Sequence, residues 1–179
     1  MGNLLVVWSA RLAIAAWAVR WLRDLHRPGQ SPPRWLSLVW TMGGVTNLLH
    51  VLVAFHYAHA WDAAAAWEHV ARQTAAVTGW HWGGGLYVNY VFSLLWLADV
   101  GVCWRACVLR RPLSPAYLVI LHGLFVFMIF NATVVFGPPV WKWVFPVFAV
   151  LSLAVWLIRR RTSRTPGPEP EPSGSVPPR

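Results

Sequence analysis

Five long apolar runs divide this chain, at about residues 3–22, 35–58, 83–104, 116–136 and 140–158. Each is near the ~20 residues that a helix needs to cross hydrocarbon. None shows the period-two alternation of a membrane barrel strand. Backbone groups in hydrocarbon must pair within their own segment, so the runs predict helices. Turn signals separate them: "RPGQSPP" after the first, "RRPLSP" after the third and "GPP" after the fourth. The expected fold is an all-α polytopic membrane bundle of five transmembrane helices.

The second connection differs from the others. Its stretch "DAAAAWEHVARQTAAVTG" predicts a sixth, shorter helix. Asp62 suits its N-cap, the alanines propagate it, and Gly79 suits its stop. Trp67, Val70, Thr74 and Val77 fall near one face, Glu68, His69, Arg72 and Gln73 on the other. That pattern fits an amphipathic helix lying on the membrane face or capping the bundle.

Charge orients the bundle. Arg20, Arg23, Arg27 and Arg34 flank the first connection, and Arg105, Arg110 and Arg111 flank the third. Arg159, Arg160, Arg161 and Arg164 follow the last run. The second connection sets Arg72 against Asp62 and Glu68, and the fourth holds only Lys142. Under the positive-inside rule the N-terminus is outside and the C-terminus cytoplasmic. Trp80, Trp82, Trp141 and Trp143 then fall at outer boundaries, and Trp35, Trp104 and Trp156 at inner ones. The net charge of +9 is thereby explained by topology and headgroup contacts, not by nucleic acid. Residues 159–179 are rich in Pro and Arg and poor in apolar side chains, which predicts a disordered cytoplasmic tail.

Composition adds three constraints. The start of the chain lacks a basic n-region, and Arg11 interrupts its apolar run, which argues against a cleaved signal peptide. Cys103 and Cys107 are spaced as free thiols, without a second pair to complete a zinc site. The Ala, Arg, Gly, Pro and Trp usage fits a GC-rich bacterial genome, and so a bacterial inner membrane with the second connection facing the periplasm.

Candidate chemistry gathers in three places. Four of the chain's seven histidines, His56, His59, His69 and His81, lie between Phe55 and Trp82. His56, His59 and Asp62 are three apart, so a continuing helix would present them on one face. With His81 at the same level, and His69 nearby, they are candidate ligands for Zn, Cu or Fe. One haem at that face is a weaker alternative, because His50 and His122 fall near opposite faces and cannot share an iron. Second, Arg11, His50, Asn89 and Asn131 fall at one depth on four runs, with Tyr87 and Tyr90 above them. Such a layer could bind a small ligand or cofactor headgroup, or join helices by hydrogen bonds. Third, Asp99 and His122 fall near the inner face as a candidate proton-relay or structural pair.

No nucleophile, base and orienting group share a recognisable spacing, so no enzyme class follows. The leading functional expectation is a histidine-rich outer-face site for a metal or redox cofactor. The alternatives are a non-enzymatic assembly subunit of a membrane complex, or a small oligomeric transporter or channel. The expected partners are the lipid bilayer and a second copy of the chain or another membrane subunit.

Overall fold

The computed structural model describes residues 2–162, and within them the chain is helical without strands. The helices are α1 (Gly2–His26), α2 (Arg34–His59), α3 (Ala63–Thr78), α4 (Gly85–Val108), α5 (Pro115–Phe130) and α6 (Trp141–Thr162). A π-helical turn, Asn131–Val135, prolongs α5. Five helices, all but α3, are long and apolar enough to cross a membrane, α5 together with its π turn. The fold is therefore compatible with a multi-pass membrane protein.

Local chemistry sets the helix ends. Ser114 accepts a hydrogen bond from the Tyr117 N–H, and Pro115 occupies the first turn of α5 where its missing N–H costs nothing. Asp62 caps α3 by accepting from the Ala64 and Ala65 N–H groups, and Gly79 ends α3 at φ 76°. The turn from α2 into α3 is less relaxed. Ala60 and Trp61 both take left-handed backbone angles, at φ 47° and 66°, a conformation that a side chain normally disfavours.

The spanning helices alternate in direction. One end of the bundle gathers the C-termini of α1, α4 and α6 with the N-termini of α2 and α5. It carries Arg27, Arg34, Arg105, Arg110, Arg111 and Arg159, and is called the arginine end below. Arg159 donates to the Leu25 carbonyl across α6 and α1 there. The opposite end carries α3, which packs on α2 and α4.

The core lies between α1, α2, α4 and α5. Trp17, Trp40, Phe92, Trp96, Leu121 and Phe125 fill it. Ring centroids of Trp96 and Phe125 are 4.7 Å apart and those of Trp40 and Trp96 4.9 Å, in tilted or edge-on arrangements that suit aromatic quadrupoles. Gly43 makes this approach feasible. A Cβ there would lie 2.6 Å from Ala16 Cβ and 2.8 Å from Trp96 Cζ2. α6 is peripheral: no residue from Trp141 to Arg161 is buried. Trp21 holds it by donating to Ser152 Oγ at 2.9 Å, and Trp17 packs on Phe148.

Two helix bounds differ from expectation. α1 runs to His26, beyond the end at 22 read from its apolar run. Asp24 is therefore helical and buried, and so is Arg20, which the charge pattern sets at the flank of the first connection. α6 continues to Thr162, past the expected start of the tail at 159. The rest of that tail, 163–179, lies outside the described residues.

Candidate functional site

Polar side chains collect in two zones, one at each end of the aromatic core. Near the arginine end they form a closed ionic cluster. Arg20 is fully buried, and its Nε donates to Asp24 Oδ2 at 2.7 Å. The two are four residues apart on α1, so the helix itself brings them together. Asp24 also accepts from Arg23 Nη1 at 2.9 Å and lies 3.3 Å from His122 Nε2. Asp99 accepts from Trp40 Nε1 at 2.6 Å and from the Tyr117 hydroxyl. Arg20 Nη1 lies 3.9 Å from Asp99, and the guanidinium stacks over Trp40 at 5.1 Å.

This cluster balances its charge. Two cations, Arg20 and Arg23, oppose two carboxylates, Asp24 and Asp99. Isolated buried charges cost several kcal/mol each, so paired placement is the condition for burying any of them. Asp99 and His122, expected as a pair, enter one network through different partners, Asp99 through Tyr117 and Trp40 and His122 through Asp24. Arg105, on the same helix as Asp99, is exposed. Arg20 Nη1 and Nη2 and His122 Nδ1 are buried without a hydrogen-bond partner among the described residues.

The second zone lies on the α3 side of the core. There a cavity of about 280 Å³ opens between α1, α2, α4 and α5, with Val70 of α3 in its wall. Ala10, Ala13 and Ala54 leave the space, and Phe92, Trp96 and Phe125 form its aromatic floor. Its polar lining comes from Asn47, His50, His59, Asn89, Tyr90 and Ser93. His50 Nδ1 lies 3.0 Å from the Val6 carbonyl and 3.3 Å from Ser9 Oγ. Asn47 donates to Ser93 Oγ at 2.9 Å, and Ser93 donates in turn to the Asn89 carbonyl.

Of the expected ligand layer and the tyrosines above it, His50, Asn89 and Tyr90 line this cavity, and Arg11, Asn131 and Tyr87 do not. Arg11 turns outward, stacks over Trp8 at 5.0 Å and is exposed. Asn131 donates back to the Phe127 carbonyl of its own helix at 2.7 Å. Of the two tyrosines, Tyr87 is exposed and Tyr90 lines the cavity.

The histidines of the second connection separate into pairs. His56 accepts from Trp61 Nε1 at 2.9 Å. His59 and His69 face each other with ring centroids 5.2 Å apart. His81 Nε2 lies 3.3 Å from Glu68, and Asp62 is engaged in capping α3. Among the described residues, no three His, Cys, Asp or Glu side chains converge to hold a metal ion. The reason is local. The left-handed turn at Ala60 and Trp61 ends α2 right after His59, so the three-residue spacing does not carry on to Asp62.

Sequence reasoning missed Arg20, Asp24, Trp40 and Tyr117 as cluster members. The i, i+4 spacing of Arg20 and Asp24 was the available signal. Comparison of the chain with protein-family models, curated proteins and solved structures finds no match.

Proposed function

We propose that this chain is an integral membrane protein that binds a small, largely apolar ligand in the cavity beneath α3. The observation that carries this reading is the cavity itself. An aromatic wall with a few convergent polar side chains is the usual make-up of a small-molecule site. Its volume of about 280 Å³ suits a ligand of one or two rings. The protein sits in a bacterial inner membrane with its N-terminus outside and its C-terminus cytoplasmic, following the arginines under the positive-inside rule. The cavity then opens toward the outer leaflet, and α3 is its outer cover. The ionic cluster at the cytoplasmic side fixes the helices that form the walls.

The metal reading draws no support from the separated histidines and is not the one adopted. Saturable binding of 2-naphthol to the protein in lipid nanodiscs, read by ligand fluorescence, tests the proposal. Ala54→Phe, which fills the cavity from α2, is expected to abolish the saturable component and leave lipid partitioning unchanged. Saturable binding that persists in Ala54→Phe would place the ligand elsewhere.

A further inference from the structure

We infer that the cavity selects an uncharged ligand that donates a hydrogen bond, such as an aromatic hydroxyl. This rests on the proposed ligand site and specifies its chemistry. Two hydrogen-bond chains fix which atoms remain free.

The first chain sets the tautomer of His50. The Val6 carbonyl can only accept, so His50 Nδ1, 3.0 Å away, must carry the proton. Ser9 Oγ is consistent with this, since its own proton goes to the Leu5 carbonyl at 2.6 Å. In the neutral imidazole this tautomer leaves Nε2 unprotonated, a hydrogen-bond acceptor.

The second chain sets the Asn47 amide. The Ser93 hydroxyl spends its proton on the Asn89 carbonyl at 2.9 Å. Toward Asn47 it can only accept, so Asn47 presents Nδ2 to it and keeps Oδ1 free. Two cavity-lining residues one turn apart on α2 thus leave acceptors, Nε2 and Oδ1, without an internal donor.

The remaining lining groups do not reverse this selection. Trp96 is buried, but its indole N–H edge lies beside Gly44, which does not line the cavity. Asn89, Tyr90 and His59 can each donate or accept and adapt to either partner. Arg11, the one cation of this region of α1, faces away from the cavity, so an anion has no fixed partner. A carbonyl-bearing or anionic ligand would meet lone pairs at His50 and Asn47, whereas a hydroxyl meets acceptors in place.

The test compares 2-naphthol with 2-fluoronaphthalene in nanodiscs, with affinities referred to the probe concentration in the lipid. The pair matches in size and differs in the donor. The expected result is saturable 2-naphthol binding about tenfold tighter than 2-fluoronaphthalene, the scale of one good hydrogen bond. In Asn47→Leu or His50→Leu the preference is expected to fall to about twofold or less. Equal binding of the two probes would overturn the acceptor assignment and leave the ligand site standing. Saturable binding of neither would overturn both. The wild-type comparison decides between these outcomes even if a variant fails to fold.

Discussion

The two polar zones of this bundle use the same building blocks to opposite ends. Near the arginine end, side chains from α1, α2, α4 and α5 turn on one another, and Arg20 is fully buried. Near α3, side chains from the same helices turn partly toward open space. The difference lies in the neighbours. Trp40, Trp21 and Tyr117 fill the space around Arg20 and Asp24, whereas Ala10, Ala13 and Ala54 leave space beside His50 and Asn47. Bulk around charge makes a lock. Small residues around uncharged amide and hydroxyl groups leave a cavity. A buried charge must be matched within the protein, while an unpaired neutral polar group costs less than an unpaired charge.

The largest effect is expected where a charge loses its partner. Asp24→Ala strips Arg20, Arg23 and His122 of a shared acceptor and should cost ~3–5 kcal/mol. Thermal unfolding and monodispersity in mild detergent would read it. An effect no larger than that of Asn47→Leu would break the comparison, because the cluster would then not be the lock. Gly43→Val drives a side chain into Ala16 and Trp96 and should cost ~1–3 kcal/mol; a neutral outcome would mean that α1, α2 and α4 separate easily. Tyr117→Phe removes one donor from Asp99 and leaves Trp40 in place, for a loss of ~1.5–3 kcal/mol. The smallest change is expected in the cavity. Asn47→Leu should cost about 1 kcal/mol or less, in line with interhelical hydrogen bonds in membranes, while altering the choice of probe. A stability loss comparable with that of Asp24→Ala would recast the cavity residues as structural.

The legibility of the two zones also differs. His50 and Asn89 could be assigned to one level because each interrupts an apolar run at a countable depth. Arg20 and Asp24 could not, because arginine near the end of a run is ordinarily read as a topology signal. The same residue type serves both purposes, and only a neighbouring Asp99 and His122 from other helices distinguish them. His56, His59 and His81 mislead in the reverse sense. Their spacing suits a shared ligand set, but two positive-φ residues after α2 turn the chain before that geometry develops.

By itself the sequence determined the number of long apolar helices, the short helix capped by Asp62 and stopped by Gly79, and the imbalance of arginine between the two ends. These are local properties: run length, capping chemistry and the composition of connections act within a few turns of chain. Tertiary structure alone decided which polar residues meet. Whether Arg20 snorkels or is buried, whether His122 finds Asp99 or Asp24, and whether Asn131 or Ser93 joins the cavity depend on helix rotation. That rotation is set by the packing of Trp17, Trp40, Trp96 and Phe125 against small residues on facing helices. A turn of the helix repeats every 3.6 residues, so a small change in rotation exchanges one set of facing side chains for another.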